Sequence, residues 1–212
     1  MGERLKDKVA MVTGAGSGLG QATALMYAAE GAKVMCSDVN EAGLAATVAD
    51  ITAAGGVAVA RPADVTSPAA CEAMTAETIE RFGRIDVVFA CAGIAGAGDA
   101  ASTSVEDWDR VIAVNLTSKW LTFKYALPHM VEQGGGSVIV QASIGGVVGI
   151  PKIFPYAAAK AGCIGMVKQA AADFGPHGIR VNALAPGTIV TPLVTETYAQ
   201  GGGMSAGFGP EE

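Results

Sequence analysis

The sequence of 212 residues predicts a three-layer α/β fold built on a doubly wound, parallel sheet. Short runs rich in Val, Ile and Ala alternate with longer stretches that carry helical spacing, a pattern typical of a parallel sheet covered by helices on both faces. A composition of 50% hydrophobic and 16% charged residues suits one domain with a real core. The first crossover from strand to helix opens on a glycine-rich turn, as many doubly wound folds do.

Six short apolar runs are predicted to be the strands of one sheet. Each is short and rich in β-branched residues or alanine. They run from Val9 to Thr13, Lys33 to Ser37, Val57 to Arg61, Ile85 to Ala90, Ser137 to Gln141 and Arg180 to Ala183.

Five longer stretches are predicted to be helices, and a glycine follows most of them as a C-terminal stop. The helices are expected from Leu19 to Glu30, Glu41 to Ala54, Ala69 to Phe82, Val105 to Val131 and Tyr156 to Phe174, and the stops are Gly31, Gly55, Gly83 and Gly175.

The composition changes after Leu193, where glycines cluster at Gly201 to Gly203 and again near Pro210. This composition favours a loop over a packed element. We therefore expect one domain over residues 1–193, followed over residues 194–212 by a flexible, glycine-rich tail or part of a substrate loop.

Charge and cysteine spacing exclude several kinds of partner. A net charge of −6 with no Lys/Arg cluster argues against nucleic acid as a partner. No apolar run is long enough to span a membrane, and the first residues lack the apolar core of a targeting signal. The cysteines are too widely spaced to suggest a metal site or a disulfide framework, so a cytoplasmic location fits best; they are Cys36, Cys71, Cys91 and Cys163.

The glycine-rich turn between the first strand and the first helix has the pattern Thr-Gly-x-x-x-Gly-x-Gly. It contains Gly14, Ser17, Gly18, Leu19 and Gly20. Because Leu19 stands at the third glycine position, the common G-x-G-x-x-G form fails here. Glycines still allow a sharp turn and let a pyrophosphate approach the helix N-terminus. The alternative is a glycine-rich connection with no ligand.

Asp38 follows the second strand and lies 20 positions after Gly18. A carboxylate here can accept hydrogen bonds from the adenosine ribose, and it would repel a 2′-phosphate. Neither Ser17 nor Val39 supplies a cation that could hold such a phosphate. The pattern favours NAD over NADP as the cofactor.

Tyr156 and Lys160 are four residues apart, so they share one face of the predicted helix. A free tyrosine titrates near pH ~10, and a base that works at neutral pH needs a pKa roughly 2 to 3 units lower. A neighbouring cation supplies part of that shift. Alone, the spacing also fits a surface tyrosine beside a solvated lysine.

With the glycine turn, Asp38 and Tyr156 to Lys160 in this order, the sequence resembles the classical short-chain dehydrogenases/reductases of the NAD-dependent type over nearly its whole length. This resemblance implies a Rossmann-like fold in a single domain. Asp64 and Val65 are similar to the pair that contacts adenine in the family, and Ala92 and Gly93 are similar to its Asn-Ala-Gly segment. Cys91 replaces the usual asparagine, which leaves backbone contact with the cofactor at that position.

The resemblance also supplies the remaining site residues. Asn115 matches the helix asparagine whose backbone carbonyl holds a water in a proton relay, and Ser143 precedes Tyr156 by the usual interval. The catalytic set is then Asn115, Ser143, Tyr156 and Lys160. Further cofactor contacts are expected after the sixth strand, at Pro186, Gly187, Ile189 and Thr191.

The resemblance implies hydride transfer between NAD(H) and a secondary alcohol or ketone, without a metal. Tyr156 is the expected acid/base, with Lys160 and the oxidised nicotinamide lowering its pKa. Ile153, Phe154 and Leu193 fit either an apolar substrate pocket or ordinary packing. Two other functions remain open: an acyl-type ketoreductase and a non-catalytic dinucleotide-binding or scaffold protein.

Members of the family typically form tetramers through a final helix and strand, and the given sequence stops short of both; a truncated sequence and a natural short form are equally open as explanations. We therefore expect a homo-oligomer, either a tetramer or a dimer formed by the helices that begin near Val105 and Tyr156.

Overall fold

The computed structural model describes residues 2–199 and contains one parallel sheet of six strands. The strand order is β3-β2-β1-β4-β5-β6, so the chain reverses its direction of winding between β1 and β4. This confirms the predicted doubly wound fold. The strands are β1 (Val9–Thr13), β2 (Lys33–Asp38), β3 (Val57–Pro62), β4 (Val87–Ala90), β5 (Gly136–Gln141) and β6 (Ile179–Leu184).

Helices cover both faces of the sheet. They are α1 (Gly18–Ala29), α2 (Glu41–Ala53), α3 (Pro68–Phe82), α4 (Val105–Ile112), α5 (Ser118–Glu132), α6 (Phe154–Phe174) and α7 (Pro192–Ala199). None of the helices in this described part of the chain is both long and apolar enough to cross a membrane.

Each face of the sheet has its own apolar core, because successive strand side chains point to opposite faces. On β1, Ala10 and Val12 pack with helices α1 and α2, whereas Met11 packs with helices α3, α5 and α6. All five residues of β1 are buried, as expected for a central parallel strand. The sheet is therefore anchored on both sides, and the ends of its strands have fixed positions.

Three of the four predicted glycine stops have the expected left-handed backbone: φ is 93° at Gly31, 81° at Gly55 and 80° at Gly83. Gly175 also follows its helix as predicted, because α6 ends at Phe174 and Gly175 is its C-cap, but its backbone conformation is different. Its φ is −53°, and a short 3₁₀ helix continues from Gly175–His177 before Gly178 takes the left-handed conformation with φ of 74°. The fixed φ of the intervening proline suits a helical turn, so the chain continues for one more turn.

The long helix predicted from Val105 to Val131 is interrupted. Between α4 and α5 lies a turn of π-helix, Ala113–Thr117, with Asn115 at its centre. Such π-turns occur frequently at functional sites. The interruption therefore marks one of the predicted catalytic residues.

Helix α7 was not predicted. The Thr191 carbonyl accepts hydrogen bonds from the backbone N–H groups of Val194 and Thr195 at 3.0 and 2.9 Å, and Pro192 is the first helical residue. Threonine followed by proline is a good helix start. The glycine-rich composition farther along the chain masked this signal. The tail predicted over residues 194–212 lies outside the described residues from position 200 onward.

Candidate active site

A cavity of about 470 Å³ lies at the carboxyl ends of the central strands. Open α/β sheets bind ligands at this edge, beside the point where the strand order reverses. The lining of the cavity includes every catalytic and cofactor-binding residue predicted from the sequence. The fold therefore brings together residues from position 14 to position 191.

The glycine turn forms one wall of the cavity and leaves no space for side chains. Gly14 has φ of 73°, and a Cβ there would lie 2.8 Å from the Cα of Ala92. A Cβ on Gly20 would lie 2.0 Å from the Gly14 carbonyl oxygen. Ser17 is the N-cap of α1, but its side chain makes no capping hydrogen bond. The turn is thus built for close backbone approach, with a helix N-terminus that favours an anion.

Asp38 fastens the end of β2 to this turn. Its Oδ2 accepts a hydrogen bond from the Gly16 N–H at 2.8 Å, and its Oδ1 accepts one from the Asn40 N–H at 2.9 Å. The carboxylate remains partly exposed on the cavity wall, beside the exposed Val39. Each carboxylate oxygen can accept a further bond, so Asp38 can also receive a ligand hydroxyl.

The segments after β3 and β4 complete this half of the cavity. The hydroxyl of Thr13, at the end of β1, accepts hydrogen bonds from the backbone N–H groups of Cys91 and Ala92 at 3.1 and 3.3 Å. Asp64 Oδ1 accepts bonds from the N–H and the hydroxyl of Thr66, both at 2.8 Å. Thr13 therefore fixes the wall that contains Cys91, at the position where the sequence predicted backbone contact.

Tyr156 and Lys160 lie together in the first turns of α6. The Lys160 Nζ is 5.3 Å from the centroid of the Tyr156 ring and donates a hydrogen bond to the Gln141 carbonyl at 2.7 Å. Burial lowers the pKa of Lys160 and raises the pKa of Tyr156, although the Ser143 hydroxyl offsets part of the latter shift. Within the protein alone, the pKa of the phenol is therefore raised, which is opposite to the direction expected from Lys160.

Ser143 reaches this pair through a tight contact between two elements. Its hydroxyl accepts a bond from the Gly145 N–H at 3.1 Å and caps a short 3₁₀ helix, Ile144–Gly146. A Cβ on Gly146 would lie 2.6 Å from the backbone of Lys160. Glycine thus lets the 3₁₀ helix touch α6, and this contact holds Ser143 close to Tyr156.

Asn115 is fully buried, and its side chain is a structural link. Its amide accepts a hydrogen bond from the Ile94 N–H and donates bonds to the carbonyls of Ile94 and Val111. Its backbone carbonyl accepts a bond from the Cys163 thiol at 3.1 Å. The Cys163 thiol therefore occupies one lone pair of the carbonyl that the resemblance assigns to a water.

The loop after β4 and the segment before α6 are joined by a contact that we call the clasp, formed by Gly98, Asp99, Lys152 and Phe154. The Gly98 N–H donates to the Lys152 carbonyl, and the Phe154 N–H donates to the Gly98 carbonyl, both at 3.0 Å. The Lys152 Nζ contacts Asp99 Oδ2 at 2.5 Å. Lys152 has φ of 65°, a left-handed backbone conformation that residues with a side chain rarely adopt. The clasp ties the loop after β4 to the segment that leads into Tyr156.

The segment after β6 closes the cavity from the other side. The Pro186 carbonyl accepts a bond from the Ile144 N–H at 2.9 Å, and a Cβ on Gly18 would lie 3.4 Å from the Cβ of Thr191. Leu193 lines the cavity, whereas Ile153 is 7% exposed and does not. Of the apolar residues considered from the sequence, Leu193 faces ligand space and Ile153 is a packing residue.

A family model described as short chain dehydrogenase matches residues 8–201. The chain belongs to the short-chain dehydrogenase family. Members of this family are oxidoreductases that use nicotinamide cofactors. The resemblance to the classical short-chain dehydrogenases/reductases is therefore confirmed.

Individual relatives agree with this family. The chain is 44% identical to levodione reductase of Leifsonia aquatica over 200 residues, which cover 93% of this chain and 75% of that protein. It is 40% identical to cyclohexanol dehydrogenase of Acinetobacter sp. (strain SE19) over 197 residues, which cover 92% and 78% of the two chains. A crystal structure of levodione reductase matches with a TM-score of 0.90 at 44% identity and covers 93% of this chain and 78% of that chain.

The structure adds three residues to this short-chain dehydrogenase site that the sequence analysis did not single out. Thr13 holds the β4 wall, Gln141 supplies the carbonyl that accepts from Lys160, and Lys119 donates to the Ala92 carbonyl from α5. Thr13 could have been identified from the sequence, because it directly precedes Gly14 in the glycine turn. Gln141 and Lys119 act through backbone carbonyls, which leave no pattern in a sequence.

Proposed function

We propose that this short-chain dehydrogenase oxidises secondary alcohols to ketones with NAD, and reduces the ketones in reverse. The observation that carries this proposal is that Ser143, Tyr156 and Lys160 line the same cavity as the glycine turn and Asp38. A single cavity then accommodates the cofactor and presents its reacting end to an acid/base pair.

The residues present fit a dinucleotide cofactor. The absence of side chains at Gly14 and Gly93 is required by their neighbours: a Cβ on Gly93 would lie 2.8 Å from the Asn115 Oδ1 and 3.7 Å from the Lys160 Nζ. Backbone approach at the helix N-terminus suits the pyrophosphate, and the Asp38 carboxylate suits ribose hydroxyls. NAD is preferred because the 2′-phosphate of NADP would face that carboxylate.

A bound nicotinamide supplies the hydride acceptor for alcohol oxidation. The protein supplies the proton transfer. In the proposed mechanism, the Tyr156 phenolate accepts the proton of the substrate hydroxyl, and the Ser143 hydroxyl donates a hydrogen bond to the substrate oxygen. Because the protein alone raises the pKa of the phenol, the charge of the oxidised cofactor has to supply much of the lowering.

Lys160 and Asn115 pass the proton from Tyr156 to solvent in the proposed mechanism. Lys160 is buried beside the phenol, and its pKa is lowered mainly by burial, so it can release a proton more readily than a surface lysine. In the proposed relay, the Asn115 carbonyl holds a water that links Lys160 to solvent. In this arrangement, Lys160 also binds the nicotinamide ribose.

The substrate class follows from the lining and from the relatives. Ile94, Val114, Ile144 and Leu193 line the cavity, and apolar side chains of this kind suit a hydrocarbon ring. Cyclohexanol dehydrogenase, one of the relatives, is named after a cyclic secondary alcohol. We propose a cyclic secondary alcohol or the corresponding ketone as the substrate.

The proposal is tested by following NADH absorbance with the full chain and a panel of cyclic, steroidal and linear secondary alcohols, with matched primary alcohols as controls. We expect NAD-dependent oxidation of cyclic secondary alcohols and little reaction with the primary ones. NADH binding, measured by fluorescence, without turnover of any alcohol or ketone would favour the non-catalytic alternative.

Asp38→Asn is expected to weaken the discrimination against NADP by roughly 10- to 100-fold, measured as the ratio of kcat/KM for NAD to kcat/KM for NADP. The substitution removes the carboxylate charge that would repel the 2′-phosphate, while the amide keeps one acceptor oxygen. The measurement is kcat/KM for NAD and NADP with one alcohol. Asp50→Asn, an exposed change on α2, is the control for net charge. Equal use of NAD and NADP by the unchanged protein would refute this role of Asp38.

A further inference from the structure

We propose that Lys119 is an additional residue of the cofactor site, whose buried amine takes up a proton from solvent when the dinucleotide binds, so that the ammonium balances the pyrophosphate charge. This inference rests on the proposed function, since it requires NAD(H) as the ligand. It assigns a role to a buried group that the hydride-transfer mechanism does not use.

The position of Lys119 connects it directly to the cavity wall. It lies in the first turn of α5 and is fully buried. Its Nζ donates a hydrogen bond to the carbonyl of Ala92, and Ala92 itself lines the cavity between Cys91 and Gly93. The amine is therefore separated from the ligand space by a single backbone segment.

Among residues 2–199, Lys119 has no counter-ion, because no carboxylate there forms an ion pair with it. The titratable groups that interact with it are Cys91, at the end of β4, and Lys160 and Cys163, on α6. Helix α3, which also packs on α5, contributes Cys71, whose thiol donates to the Val65 carbonyl.

These neighbours favour the neutral amine. Burial raises the pKa of both Cys91 and Cys163, so neither thiol supplies a negative charge at neutral pH. Burial, and secondly the positive charge of Lys160, lower the pKa of Lys119 to about 7. A buried cation without a partner is costly, and the amine responds by releasing its proton above that pH.

A dinucleotide in the adjacent cavity changes this balance. Its pyrophosphate brings two negative charges into a region that is poorly screened by solvent. Negative charge nearby favours the protonated amine and raises its pKa. By linkage, binding then takes up a proton, and affinity falls as the pH rises above the pKa of the free protein.

The test is isothermal titration calorimetry of NADH binding at pH 7.5 in phosphate and in Tris, whose ionisation enthalpies differ. If binding raises the pKa of Lys119 by about one unit, uptake is about half a proton per NADH, and Kd rises by up to about tenfold between pH 6 and pH 9. Lys119→Met should bind NADH with clearly less proton uptake. Lys124→Met removes an exposed charge from the same helix and should behave like the unchanged protein.

Unfolding measurements give a readout that needs no cofactor. Between about pH 7 and pH 10, the unfolded chain holds a proton on Lys119 that the folded protein has released, so stability rises with pH through this window. Lys119→Met should lack that rise and should not be less stable than the unchanged protein near pH 7.

The outcomes separate the two proposals. NADH binding and alcohol turnover with no proton uptake, or with the same uptake in Lys119→Met, overturn the role of Lys119 and leave the proposed function standing. If Lys119→Met fails to fold, a pH-independent Kd of the unchanged protein overturns the inference, whereas a Kd that rises above about pH 7 supports it. No NADH binding at all overturns both.

Discussion

Tyr156→Phe is expected to lower kcat for alcohol oxidation by roughly 10²- to 10⁴-fold, the range typical for loss of a general acid or base. The substitution removes only the phenolic oxygen, so the ring still packs near Lys160 and in contact with the cavity. NADH affinity should change by no more than about twofold. The measurements are steady-state kcat with NAD and a cyclic alcohol, and NADH fluorescence titration.

Tyr125→Phe provides a matched control, because Tyr125 lies on α5, is half-buried and does not line the cavity. It should retain kcat within about twofold. A Tyr156→Phe variant with normal kcat would disprove the acid/base assignment. A variant that loses NADH binding and kcat together would instead identify Tyr156 as a binding residue.

Gly20→Ala is expected to destabilise the protein by about 4 kcal/mol or more. The new Cβ would lie 2.0 Å from the Gly14 carbonyl oxygen and 2.5 Å from the Gly14 carbonyl carbon, and both are backbone atoms of the glycine turn. Relief requires α1 to move away from the turn. The expected result is a large drop in the urea midpoint, and the loss of NADH binding in any fraction that still folds.

Gly165→Ala tests whether this effect is steric. Gly165 is an exposed residue of α6, and a Cβ there meets nothing within 4 Å. Because alanine is the better helix former, this variant should be more stable by about 0.5 to 1 kcal/mol. Similar stabilities for Gly20→Ala and the unchanged protein would show that the turn is less tightly packed than the distances indicate.

The sequence was sufficient to predict the sheet, because burial of β-branched residues on both faces leaves a strong local pattern. β1 and β2 were placed to within one residue for this reason. The glycine turn, Asp38 and the Tyr156 to Lys160 spacing could be predicted because each has a fixed position relative to a strand or helix end.

Other features depend on contacts that no local pattern records. The π-turn at Asn115 arises where α4 and α5 pack against α6, and helical spacing alone does not reveal it. Lys119 has apolar neighbours on α5, and its sequence context does not distinguish it from an exposed helical lysine. Only the structure shows that it is fully buried. The raised pKa of Tyr156 likewise comes mainly from burial. The sequence shows the neighbouring Lys160, which would lower this pKa, but it does not show how deeply the phenol is buried.

The clasp has a consequence for which part of the loop after β4 can vary in length. Residues 100–103 form a turn held by Asp99, whose Oδ1 accepts bonds from the backbone N–H groups of Ala101 and Ser102. The turn takes no part in the two backbone hydrogen bonds of the clasp, which join Gly98 to Lys152 and to Phe154. Insertions in this turn can therefore change the length of the surface loop while the segment that leads into Tyr156 keeps its position.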